Sequence, residues 1–430
     1  SEKWWETTRK CKDMTEFKRQ HYLNQLIKRK HNDRIKIITG LRRSGKSYLL
    51  NTLFTNHLLQ EGVSQDCILQ IDLEDIKNKS LREPVAMLQY IEDHSTEDSQ
   101  YYVILDEIQL LKDFEEILNT LLKRKKYDVY VTGSNSRFLV TDVITEFRGR
   151  GDEVRVFPLS LAELHEAFPE KSWDDLWEEY TLYGGLPQMV LTKDEAQKVK
   201  YLKQLFHTTY LKDILDRYRI QLVDEFSQLV DFIASAIGSL TNPSKLANTF
   251  ITKGFKLDSR TVNQYLRYLL DSFLISEAKR YDIRGKQYIG SPCKYYFTDV
   301  GLRNARLNFR QTEQTHLMEN IIYNELLRRE CEVDVGVVEV EEQVEGKRQH
   351  KRLEVDFVCN KGYRRCYIQS AYAMPSYDKI QQEVQSLMRI HDNFLKVIIT
   401  ADRTHTHQME NGVLILNIRD FLINENSLPL

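Results

Sequence analysis

Hydrophobic and polar positions alternate with two different periods in the first third of this chain. The segments Ile35-Lys36-Ile37-Ile38-Thr39, Cys67 to Leu73, Tyr101 to Leu105, Val129 to Thr132 and Val154 to Leu159 are short runs rich in β-branched and aromatic residues. Each is too short for a helix, so the pattern predicts five strands. Helical stretches separate them, which predicts an α/β fold with a parallel sheet and right-handed crossovers over 34–160. A helical segment over 1–33 precedes this core, and a helical lid over 161–220 follows it.

The period changes further along. Asn242 to Phe250 and Ser259 to Phe273 read as two helices joined by a turn around Gly254, with Ser259 as the N-cap of the second. Val262, Leu266, Leu269, Leu270 and Phe273 share one face of that second helix, and Arg260, Asn263, Gln264 and Arg267 share the other. Strand-like pieces at Leu274 to Ala278 and Lys294 to Phe297 enclose Lys279, Arg280, Arg284 and Lys286. Together these elements predict a winged helix-turn-helix over 221–310. A helix at Met318 to Arg328 and strands at Val333 to Glu341, Leu353 to Val358 and Tyr363 to Ser370 then predict a second α/β domain over 311–430.

Composition narrows the function classes. Gly 17 and Pro 8 in 430 residues are too few for a linker-dominated or disordered chain. The 61 basic and 63 acidic side chains leave a net charge of −2, so no global field draws the chain to nucleic acid or to a membrane. The charge is unevenly placed, however. Lys279 to Arg310 holds eight basic residues against Asp282 and Asp299, interleaved with Tyr281, Tyr288, Tyr295 and Tyr296, which suits phosphate contact. The six scattered cysteines form no zinc-like pair and read as reduced thiols of a cytoplasmic protein, and no apolar run predicts a membrane span.

The candidate chemistry begins at Gly40-Leu41-Arg42-Arg43-Ser44-Gly45-Lys46-Ser47, a loop between the strand at Ile35 and a helix opening at Tyr48. In that context glycines let backbone N–H groups turn inward around phosphates, Lys46 reaches the β- and γ-phosphates of ATP, and Ser47 offers a hydroxyl to Mg²⁺. The strand at Tyr101 ends in Asp106 and Glu107, an acid to hold Mg²⁺ and an acid to orient the attacking water. Ser134 or Asn135, at the polar end of another strand, is placed to sense the γ-phosphate, and the pattern leaves that choice open. Arg148 and Arg150 are candidate arginine fingers.

Those motifs, with Pro158-Leu159-Ser160 and Gly184-Gly185-Leu186-Pro187, resemble the AAA-type P-loop ATPases of bacteria and archaea that carry a C-terminal domain of unknown function. The resemblance implies ATP binding and hydrolysis. By resemblance to the signalling group of such ATPases, Gly185 and Pro187 pack against the adenine. The last third resembles the PD-(D/E)xK nuclease core, with Glu319 and Glu325 on its helix and Asp356 matching the strand acid. Gln369 and Ala371 stand where that core has an acid and a lysine. A neutral carbonyl and a methyl group cannot supply that metal chemistry, so nuclease activity is not expected. The expected function is an ATPase whose nucleotide state controls a DNA-binding module. The alternative is a slow nucleotide-gated switch with a protein partner, and assembly into oligomers is compatible with either.

Overall fold

The computed structural model describes residues 16–134, 151–344 and 347–430. Its first sheet contains β1 (Ile35–Thr39), β2 (Ile68–Asp72), β3 (Tyr101–Asp106), β4 (Tyr127–Thr132) and β5 (Gly151–Arg155). All pairs are parallel, in the order β2-β3-β4-β1-β5. The strands β1, β3 and β4 are buried along their whole length because helices cover both faces, which is why they read as unbroken apolar runs. The helix after the loop, Lys46–Tyr48 continuing through a π-helical Leu49–Phe54 into Thr55–Gln60, buries Leu49, Leu50, Leu53 and Phe54 against Ile38, Ile104 and Tyr130.

One strand is displaced from its expected place. The segment expected at Val154 to Leu159 pairs instead over Gly151–Arg155, from Ile35↔Gly151 to Thr39↔Arg155. The last rung is Val156 N–H to Thr39 O, 2.8 Å, and Pro158 just beyond has no N–H with which to extend the ladder.

The second sheet is mixed and eight-stranded. It comprises β6 (Ile275–Asp282), β7 (Gln287–Phe297), β8 (Glu332–Val344), β9 (Lys347–Lys361), β10 (Arg364–Ala371), β11 (Leu395–Thr400), β12 (His407–Gln408) and β13 (Leu414–Asn417). Their order is β12-β13-β11-β10-β9-β8-β6-β7. The hairpin β6–β7 pairs through β6, in parallel, with β8. Hydrogen bonding therefore runs across the boundary expected near 310, and the hairpin is one edge of the C-terminal sheet.

The helix Ser259–Asp271 buries Val262, Tyr265, Leu266 and Leu269 and exposes Arg260, Asn263, Gln264 and Arg267. Its N-cap is Asp258, whose carboxylate accepts from Thr261 N–H at 2.7 Å, and not Ser259. Both residue types cap well, and the partner three positions on selects the aspartate. Asn263 and Gln264 use an amide N–H locally, to Ser259 O at 2.8 Å and to the Tyr268 hydroxyl at 2.5 Å.

Half of the expected basic patch is consumed inside the protein. Lys279, Arg284, Lys286 and Arg310 are exposed, whereas Arg280, Lys294 and Arg303 are buried. Arg303 donates to Ala234 O at 2.8 Å, and Arg306 pairs with Asp231 at 2.6 Å. Arg280, expected on an exposed wing, points into the sheet because side chains alternate faces along β6. The described cysteines are free thiols, and no helix among the described residues is long and apolar enough to cross a membrane.

Candidate functional site

The loop 40–47 sits at the carboxyl end of β1, where the strand feeds the helix Lys46–Tyr48. At Gly40 φ is +129°, and a Cβ there would stand 2.1 Å from Val156 O, so only glycine fits. Lys46 is 4% exposed and donates to Gly40 O at 3.1 Å and Leu41 O at 3.0 Å. Burial holds its pKa below the usual lysine value, against the opposing fields of Glu107 and Asp106. A buried ammonium held by two neutral carbonyls gains from any ligand that brings negative charge. Ser44 Oγ is buried without a hydrogen-bond partner, while Ser47 is exposed beside Asp106. Arg42 pairs with Glu74 at 2.9 Å, Arg43 is exposed, and Tyr48 is half-buried.

The two strand-end acids share a scaffold on β4. Thr132 donates its hydroxyl to Asp106 and accepts the Glu107 N–H at 2.8 Å. Burial raises the Asp106 pKa, and the hydroxyls of Thr132 and Ser47 pull it back. Asn51 reaches the same carboxylate at 3.3 Å. Glu107 has a positive φ of 54°, a bend that takes its side chain off the strand line, where Gln109 and Ser134 (3.2 Å) donate to it. Ser134 thus stands with Glu107, while Asn135, Arg148 and Arg150 lie outside the described residues.

The segment Gly184 to Pro187 closes on this loop. Pro187 Cγ lies 3.9 Å from where a Cβ on Gly45 would stand. Tyr210, from the following helical region, donates its hydroxyl to Arg42 O at 2.6 Å. Gly185 O accepts from Leu159 N–H at 2.7 Å, and a Cβ on Gly185 would stand 2.1 Å from Leu159 O.

Sequence reasoning missed the residue that anchors this segment. Asp299 accepts from Gly185 N–H at 2.8 Å with one oxygen and from Leu302 N–H at 3.0 Å with the other, capping the buried helix Val300–Arg306. From that helix, Asn304 donates to Thr181 O at 2.8 Å and Leu182 O at 3.0 Å, at the end of the helix Trp173–Tyr183 that runs into Gly184. The available signal was an Asp three residues before Leu302 at the end of a strand, which reads only as a helix cap.

Burial pushes Asp299 up to about 6, against three backbone N–H groups that favour its anion. Because the folded pKa lies above the unfolded value, this group favours folding most below the unfolded pKa, and that contribution is lost as pH rises through about 6. Urea unfolding at pH 5 and pH 7 should show a loss on going to pH 7 that includes about 1.3 kcal/mol from Asp299. Asp299→Asn should lack that part; an identical pH dependence in both proteins contradicts it.

With this geometry in place, comparisons with known proteins define the class. Residues 32–165 match the family described as an AAA domain, and residues 174–313 match a domain of unknown function, DUF8612. Residues 32–165 are therefore an AAA-type P-loop domain, consistent with the parallel sheet and loop described above. An uncharacterized protein of Haemophilus influenzae is 32% identical over 410 residues, covering 94% of this chain and 98% of that protein. The chain belongs to the same family as that protein. An uncharacterized protein of Methanocaldococcus jannaschii is 25% identical over 367 residues, covering 82% of this chain and 78% of its own length. Among solved structures, a Walker-type ATPase of Pyrococcus abyssi aligns with 69% of this chain and 97% of its own at 17% identity and a TM-score of 0.48.

Proposed function

We propose that the chain is an ATPase that holds Mg²⁺-ATP between the loop 40–47 and the segment Gly184 to Pro187, and that its nucleotide state sets the position of the hairpin and C-terminal half. The observation that carries this reading is the convergence of Lys46, Ser47, Asp106, Glu107 and Ser134 at the ends of three adjacent strands, β1, β4 and β3.

In this reading Gly40 to Ser47 wrap the phosphates, and Lys46 exchanges its two carbonyl partners for phosphate oxygens. Leu41, Arg42, Arg43, Ser44, Gly45 and Tyr48 line the approach, and Gly185 and Pro187 border the base. Ser47 and Asp106, already side by side, would hold Mg²⁺, which when bound neutralises phosphate charge. Glu107, fixed by Gln109 and Ser134, accepts a hydrogen bond from water and orients it toward the γ-phosphate. Arg148 and Arg150 remain the proposed source of a transition-state cation, from this chain or from a second copy. Phosphate release by wild type that does not exceed that of Lys46→Ala, with or without DNA, refutes the ATPase reading.

The proposed DNA contact uses the exposed Arg260 and Arg267 of the helix Ser259–Asp271, with Asn263 and Gln264 beside them, and Lys279, Arg284 and Lys286 of the hairpin. Replacing Lys279, Arg284 and Lys286 with alanine should flatten the plot of log affinity against log salt by about 0.9 for each phosphate that the hairpin no longer neutralises. An unchanged slope removes the hairpin from the interface. The burial of Arg280, Lys294 and Arg303 favours the second reading, a slow nucleotide-gated switch with a protein partner, because it leaves a smaller cationic surface than the sequence suggests.

A further inference from the structure

The C-terminal sheet carries a charge arrangement that its sequence motifs do not reveal. Glu319, from the helix Gln314–Arg328, and Glu354 and Asp356, on one face of β9, converge on a single ammonium. It belongs to Lys294 of β7, whose side chain is 3% exposed. The Lys294 Nζ lies 3.0 Å from Glu319, 2.7 Å from Glu354 and 3.5 Å from Asp356. Glu325, the other helix acid, is not part of this group and pairs with Arg328 and Arg329.

Two of the three carboxylates also accept from neutral donors. Tyr296 donates its hydroxyl to Glu319 at 2.7 Å, and Ser370 N–H donates to Asp356 at 2.8 Å. Gln369 turns its carbonyl to the Asp356 N–H at 3.4 Å and brings no negative charge. A divalent cation does not fit among these residues. Mg²⁺ needs oxygens at about 2.1 Å on an octahedron, whereas these oxygens stand at ammonium distances, and a fixed positive charge already occupies their centre. An ammonium has three N–H donors, and three carboxylates meet it.

We infer that Lys294 is a built-in cation that takes the place of a metal ion between Glu319, Glu354 and Asp356, pinning the hairpin β6–β7 to the C-terminal sheet. The three acids serve as its counter-ions. This inference does not depend on the nucleotide site, so either can fail alone.

The test counts bound Mn²⁺ by electron paramagnetic resonance in nucleotide-free protein. Wild type should bind no Mn²⁺ that Asp356→Asn removes, and its melting temperature should be unchanged by EDTA. Lys294→Gln, which leaves three carboxylates without a cation, should gain one Mn²⁺ per chain, lost again in the Lys294→Gln, Asp356→Asn double variant. Lys294→Arg keeps a cation and should still exclude Mn²⁺. It decides the matter if Lys294→Gln fails to fold: exclusion by the folded arginine protein supports the inference, and Mn²⁺ binding by it overturns it. Asp356-dependent Mn²⁺ in wild type, or no gain in folded Lys294→Gln, also overturns it.

Discussion

Glu107→Gln is expected to bind ATP about as tightly as wild type and to release phosphate about 100- to 1,000-fold more slowly. The side chain keeps its volume, and its carbonyl can still accept from Gln109 and Ser134, so the loop and Lys46 are undisturbed. What it loses is the anionic acceptor proposed to polarise water, an effect of the size general-base catalysis supplies. Single-turnover hydrolysis beside a fluorescent-nucleotide titration separates the two. Weaker binding with an unchanged hydrolytic step would place Glu107 in nucleotide affinity and remove it from catalysis.

The second large effect is expected at Gly185→Ala. Its new methyl carbon would stand 2.1 Å from Leu159 O, a backbone atom that cannot swing away, so the segment Gly184 to Pro187 must move. Displacement also stretches the bonds Gly185 makes to Leu159 and Asp299. ATP affinity should fall at least about tenfold, equivalent to about 1.4 kcal/mol, with little change in the folded circular dichroism spectrum. Unchanged affinity would show that this segment does not border the nucleotide.

Local pattern made the strands, the loop 40–47 and the acids of the candidate site legible. A buried strand, a glycine-flanked loop and a following helix are consecutive in sequence, and so are the strand and acids that end at Glu107. The polar face of the helix Ser259–Asp271 was likewise readable, because one helix carries its own periodicity. The partners of charged residues were not. Lys294, Arg303 and Arg306 looked like a surface patch because their acceptors lie up to 79 residues away. Asp299 meets Gly185 across 114 residues, a pairing that no local spacing encodes. The displaced fifth strand shows the same limit at short range, since Val156, Phe157 and Leu159 are more apolar than Gly151 to Arg155, the residues that do pair.

Asp299 also explains how a nucleotide could be felt beyond its own site. It joins Gly185 to the buried helix Val300–Arg306, which follows directly on β7, and β7 carries Lys294 into the carboxylates of the C-terminal sheet. These are continuous hydrogen-bonded elements, a physical connection through which two sites can be coupled. Hydrogen exchange of the wild-type protein with and without Mg²⁺-ATP tests this most directly. The account predicts slower exchange at 40–47, at 184–187 and across 275–303 together. Protection confined to 40–47, with 184–187 and 275–303 unchanged, would contradict it.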